Sequence, residues 1–97
     1  MSYELLDNPE KKRYEFQVGE HLAIAEYIKV QNKTYLTHTE VPVALEGQGI
    51  GSKLILAALQ QIEKDQRELI PLCPFVAKYL KKHPEWKRLL GKNVKVE

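Results

Sequence analysis

Between Arg13 and Val18 the apolar residues Tyr14, Phe16 and Val18 alternate with Arg13, Glu15 and Gln17, the period of a half-buried strand. Gly19-Glu20 predicts a turn. The next run, from His21 to Val30, places Leu22, Ile24, Ile28 and Val30 on one face and Ala23, Ala25 and Tyr27 on the other, so both faces of this strand are expected to be partly covered. Gln31-Asn32-Lys33 predicts a second turn, and the threonine-, tyrosine- and valine-rich stretch 34–41 a third strand. Together they make an antiparallel meander. At Pro42 the strand has to leave its sheet, because proline offers no donor to the ladder. From Ile50 to Lys64 the period changes: Ile50, Leu54, Ile55, Ala58, Leu59 and Ile62 form one helical stripe, with Ser52, Lys53, Gln60, Gln61, Glu63 and Lys64 on the wet side. A short strand is expected over 68–73. A second helix follows over 75–83, burying Phe75, Val76, Tyr79 and Leu80, and a last helical turn lies within 85–90. The predicted order is β-β-β-α-β-α, an α+β domain over 13–91. Residues 1–12, with the turn signal Asp7-Asn8-Pro9, read as a flexible lead-in, and 92–97 as a polar tail.

Composition narrows the function classes. The chain has 97 residues, 43% hydrophobic and 29% charged, which suits one folded domain. Fifteen basic against thirteen acidic residues leave a net charge of +2 spread along the sequence, so neither a nucleic-acid stripe nor a polybasic membrane anchor is expected. No apolar run approaches the length of a membrane span, and a cytoplasmic location is the simplest expectation. Cys73, the single cysteine, has no partner for a disulfide or a zinc site and no metal is expected; it is a buried apolar filler or a reactive thiol.

The stretch Glu46-Gly47-Gln48-Gly49-Ile50-Gly51-Ser52-Lys53 joins the departing strand to the long helix. A glycine-rich turn at a helix N-terminus is an anion site in principle, because the first helical N–H groups lack partners and the helix dipole adds positive charge there. Two nucleotide loops fail on spacing. The P-loop needs four residues between its first glycine and Gly-Lys-Ser/Thr, and the dinucleotide fingerprint needs GxGxxG where this chain has GxGxG.

The same stretch resembles the pyrophosphate loop of the Gcn5-related N-acetyltransferases, Gln/Arg-x-x-Gly-x-Gly/Ala. The flanking His38-Thr39-Glu40-Val41, Pro71-Leu72-Cys73-Pro74-Phe75-Val76, Tyr79 and His83-Pro84-Glu85-Trp86 resemble a minimal single-domain subfamily of that group, over roughly residues 14–90. Two departures stand out: Glu46 replaces the usual Gln or Arg, and the helical pair that helps build the acceptor site in larger members is missing.

The resemblance implies a GNAT-like fold and acetyl-CoA or coenzyme A as cofactor, its pyrophosphate held by Gly47, Gln48, Gly49, Ile50, Gly51, Ser52 and Lys53. Its pantetheine arm would enter a gap between the third strand and the strand carrying Cys73, on main-chain groups of Val41 and Val43, with the Val41 amide as oxyanion donor. His38 and Glu40, two apart on a strand, share a face about 6–7 Å apart and serve as proton acceptors or as a satisfied ion pair. Cys73 precedes a helix N-terminus that lowers a thiol pKa and would take the acetyl group transiently, or it is inert. Tyr79 either protonates the leaving thiolate or packs. Lys78, Lys81, Lys82, Lys87 and Arg88 form a solvated helix face or help to hold the cofactor's 3′-phosphate. The implied function is transfer of acetyl to a primary amine on a small molecule or peptide; the alternative is a non-catalytic CoA-binding or acyl-sensing module acting through a protein partner.

Overall fold

The computed structural model describes residues 4–91 and Val94. A five-stranded sheet runs β1 (Leu5–Asn8), β2 (Arg13–Val18), β3 (His21–Val30), β4 (Lys33–Glu40), β5 (Glu68–Pro71) in spatial order. The first three pairings are antiparallel and β4–β5 is parallel. A parallel pair needs a crossover, and α1 (Ile50–Lys64) supplies it; α2 (Pro74–Lys82) follows β5. The lead-in expected over 1–12 is corrected here. Leu5 to Asn8 pair with Phe16 to Arg13, and the Asp7 carboxylate accepts a hydrogen bond from the Tyr27 hydroxyl. The order is therefore β-β-β-β-α-β-α. Only four residues long and carrying Asp-Asn, β1 has too short a pattern to announce itself. The expected polar tail falls outside the described residues except for Val94.

Both helices pack on one sheet face, around Tyr14, Phe16, Ala23, Ala25, Tyr27 and Leu36. The predicted stripe of α1 is fully covered there, and its chief neighbour is β3, where Ala23 and Ala25 keep the sheet surface low enough for the helix to lie close. A Schellman arrangement ends α1: the Arg67 amide donates to the Ile62 carbonyl and the Gln66 amide to that of Glu63, with Gln66 at φ 57°. The opposite face carries no helix of the described residues. On it Leu6, Ile28 and Val30 are about half exposed, while Ile24 is buried between its cross-strand neighbours Glu15 and Glu40. The expectation that both faces of β3 are covered thus holds only at that end of the strand. At the chain's close the 3₁₀ turn Pro84–Leu89 is tied to α1 by Arg88, which bonds Glu63 and lies over the Trp86 ring.

Among the described residues one buried side-chain group is unsatisfied. The Tyr14 hydroxyl is buried without a hydrogen-bond partner, and burial, with the nearby Asp7 carboxylate, pushes its pKa well above the usual tyrosine range. Tyr27 moves the same way, through burial and its bond to Asp7. Tyr14→Phe is expected to stabilise the fold at neutral pH by up to about 1 kcal/mol in urea titrations, since it removes a desolvated hydroxyl and keeps the ring. The sign at high pH follows from linkage. A phenol whose folded pKa is raised keeps its full contribution below the unfolded pKa of about 10 and loses it as pH climbs beyond that value. The wild type should therefore lose stability above about pH 10 more steeply than Tyr14→Phe.

Candidate functional site

The register of β4 changes at one residue. Tyr27 pairs with Leu36 but Glu26 pairs with His38, leaving Thr37 as an extra residue, a β-bulge whose hydroxyl donates to the Glu26 carbonyl. Directly cross-strand residues share a face. Thr39, opposite Ala25, therefore faces the helices with Leu36, whereas His38, opposite Glu26, and Glu40, opposite Ile24, face the uncovered side. Strict alternation from Leu36 would have sent His38 and Glu40 into the core. Instead they are 56% and 67% exposed, with His38 Nε2 4.0 Å from Glu40 Oε2.

The sheet parts at the same place. β5 pairs with β4 only as far as Leu36, whose carbonyl then accepts from both the Leu72 and the Cys73 amides. Beyond it, Thr37 to Glu40 have no partner in β5, which is the expected gap. The strand expected over 68–73 stops at Pro71, because Pro74 fixes the first turn of α2 and leaves Cys73 as its N-cap. Cys73 is buried, and its thiol reaches the Thr39 hydroxyl at 3.5 Å. The structure thus brings His38 and Glu40 together but sets Cys73 on the other face of the sheet, at the apex of the gap.

Past Pro42 the chain makes a 3₁₀ turn, Val43–Leu45, and then the glycine loop. Gly49 is the N-cap of α1 at φ 72°, with no side chain to cap it, and the first amide bonded back into the helix is that of Lys53, to the Gly49 carbonyl. The amides of Ile50, Gly51 and Ser52 precede that bond, so the helix start is an uncapped set of donors. A cavity of about 240 Å³ adjoins them, lined by Val41, Glu46, Gly47, Gly49, Gly51 and Ser52 among others. Cβ atoms built on Gly47 or Gly49 would meet nothing within 4 Å. Gly51 is different: its Cβ would lie 2.8 Å from Phe75 Cζ and 3.4 Å from Val41 Cγ2. It is bare to admit the Phe75 ring of α2. Gln48 turns back to the Ala44 carbonyl at 3.4 Å.

Two expected residues lie elsewhere. Val43 is 80% exposed and its carbonyl is taken by the Glu46 amide, because the 3₁₀ turn uses the main chain that an extended strand would have left free. Tyr79 packs against the His83 ring, 4.3 Å between centroids, and burial raises its pKa; it borders a second cavity between α1 and α2 and not the glycine-loop cavity. Thr37, Thr39 and Phe75 were missed as site residues. The first two are polar, so nothing in the hydrophobic pattern marked the change of face. Phe75, expected in the buried stripe of α2, is 41% exposed, with one edge of its ring against the bare backbone of Gly51.

Comparison with known proteins bears on the family and the fold. Residues 13–89 match a family model described as GCN5-related N-acetyl-transferase. Protein NATD1 of Xenopus tropicalis is 36% identical over 80 residues, covering 77% of this chain and 73% of that protein. The solution NMR structure of a GCN5-like protein from Staphylococcus aureus superposes with a TM-score of 0.69 at 25% identity, over 91% of this chain and 87% of the other.

Proposed function

The chain belongs to the GCN5-related N-acetyltransferase family, and from that membership we propose that it transfers an acetyl group from acetyl-CoA to a primary amine. The observation that carries the reading is the uncapped start of α1 beside an open cavity: three unpaired amides and a helix dipole suit a diphosphate. Bound there, acetyl-CoA supplies an acyl carbon activated by a thiolate leaving group. The glycine-loop cavity also reaches Val41, which follows the last residue of β4, so an amide at the bend is available to a developing oxyanion. Glu46 lines the same cavity and opposes an anion, so the main-chain donors supply the hold.

The gap beyond Leu36 connects the two faces of the sheet. The cofactor approaches from the glycine loop and the amine from the uncovered face, where His38 and Glu40 stand exposed to accept its proton. Direct transfer is the simplest route. A second route through an acetylated Cys73 is favoured by one observation, the thiol's position at the N-cap of α2 beside the gap.

Titration with CoA should release heat, and acetyl-CoA with a panel of amines should liberate thiol. His38→Ala is expected to lower turnover about a hundredfold while leaving CoA affinity unchanged. On the direct route Cys73→Ala keeps most of the activity, and the wild type mixed with acetyl-CoA alone shows no mass gain. The covalent route predicts a protein heavier by one acetyl group and an inactive Cys73→Ala. CoA binding with no turnover against any amine would instead mark the protein as a non-catalytic CoA-binding module.

A further inference from the structure

Breaking a thioester leaves a thiolate. The site offers an amide to the acyl oxygen and two proton acceptors to the amine, and the sulfur needs a partner of its own. Tyr79, expected in that part from the sequence, borders the other cavity. Among the described residues at the gap, the side-chain donors can be followed one by one. The Thr37 hydroxyl is spent on the Glu26 carbonyl, and His38 and Glu40 stand on the uncovered face. The Cys73 thiol is spent on Thr39 Oγ1 at 3.5 Å. That leaves the hydroxyl of Thr39.

Thr39 is half-buried on the side of the sheet that faces the helices, where the bulge at Thr37 sets it opposite Ala25. Two residues on, the Val41 side chain reaches the glycine-loop cavity, its Cγ2 3.4 Å from the Cβ that Gly51 lacks, so Thr39 stands between that cavity and Cys73. Its oxygen accepts the hydrogen of the Cys73 thiol, and its hydroxyl has no other hydrogen bond among the described residues. The Thr39 hydrogen is therefore unspent, and the bond accepted by its oxygen makes it a stronger donor.

Resting on the acetyl-CoA reading above, we propose that Thr39 is a catalytic residue whose hydroxyl donates a hydrogen bond to the departing sulfur of the thioester, with the Cys73 thiol turning the hydroxyl toward it. As the amine nitrogen bonds the acyl carbon and passes its proton to His38, the carbon–sulfur bond breaks with its electron pair on the sulfur. Thr39 keeps its own proton and holds the thiolate, which solvent protonates on release. Threonine suits this task, because steadying an anion calls for an oriented donor and not for an acid of matching pKa. The Val41 amide and the Thr39 hydroxyl, two residues apart, then serve the oxygen and the sulfur of one thioester.

The test pairs a binding measurement with turnover. Calorimetric titrations with CoA and with desulfo-CoA, which carries hydrogen in place of the thiol, are run under a phosphine reductant at about pH 9, where a good share of an alkyl thiol is ionised. Wild type and Thr39→Ser are expected to bind CoA about five- to tenfold tighter than desulfo-CoA, and Thr39→Val to bind both equally. In turnover Thr39→Val should lower kcat about ten- to a hundredfold with the KM for acetyl-CoA unchanged, whereas Thr39→Ser stays within a fewfold of wild type. Valine keeps the branched shape that suits a strand; should a thermal melt show Thr39→Val unfolded, Thr39→Ala replaces it with the same expectations. Equal affinities in the wild type overturn the proposal, as does a preference for CoA or a wild-type kcat that survives in Thr39→Val. Failure of both compounds to bind the wild type, or binding without turnover against any amine, overturns the acetyltransferase reading itself, and this inference with it.

Discussion

Deleting Thr37 should leave a folded protein that turns over acetyl-CoA about a hundred times more slowly. The bulge contributes one residue that has no cross-strand partner, and the residues on either side keep theirs when it is removed: Leu36 stays opposite Tyr27, and Thr39 opposite Ala25. The ladder becomes regular and the core faces are unchanged, so cooperative unfolding is expected to survive. The bend is lost. A bulge increases local twist and turns the strand, and here it coincides with the point where β4 leaves β5. Straightening β4 narrows the gap and shifts His38, Glu40 and the Val41 amide relative to the glycine loop, and a displacement of about 1 Å at a reacting centre costs on the order of a hundredfold. Steady-state turnover alongside urea denaturation checks it. Wild-type turnover in the deletion variant would show that the bulge does not shape the site, whereas Thr37→Ala, which keeps the extra residue, should stay within a fewfold of wild type.

Gly49→Val should weaken CoA binding by about ten- to a hundredfold. Space is not the obstacle, since a Cβ at this position meets nothing within 4 Å. The obstacle is the backbone: φ 72° is left-handed, and a side chain there costs roughly 1–2 kcal/mol, more for a β-branched one. The helix start would relax toward an ordinary N-cap conformation and re-aim the amides of Ile50, Gly51 and Ser52. Each charge-assisted hydrogen bond lost is worth about 1.5–3 kcal/mol, hence the range in affinity. Gly51→Ala makes the contrast. Its cost comes from the Phe75 ring 2.8 Å away, so Gly51→Ala with Phe75→Leu should recover stability that Gly51→Ala alone loses, while no second substitution should rescue Gly49→Val. Unchanged CoA affinity in Gly49→Val would remove the main support for the diphosphate reading.

Much of the fold was legible because periodicity tracks burial. The six apolar positions from Ile50 to Ile62 are all in the core, and the alternation of Tyr14 and Phe16 put the right side of β2 inward. The site was legible only in part. Gly49 could be read from a glycine before a helical pattern and the strand's departure from a proline after it, whereas the gap beside β5 came from the family resemblance. The first strand was hidden, since four residues carry too little pattern, and so was the division of His38 and Glu40 from Cys73, since a bulge leaves no hydrophobic trace among Thr37, His38, Thr39 and Glu40.

By itself the sequence determined both helices and every strand but the first, the buried stripes of α1 and β2, and where the backbone is bare at the start of the long helix, because these follow from interactions between residues near one another in the chain. The tertiary structure alone decided which side of the sheet each polar side chain faces, that Gly51 lacks a side chain because the Phe75 ring lies against it, and that a cationic face of α2 adjoins the glycine loop. Those outcomes depend on strand register and helix packing between residues well separated in the chain, Glu26 and His38 in one case and Gly51 and Phe75 in the other, which no local pattern encodes.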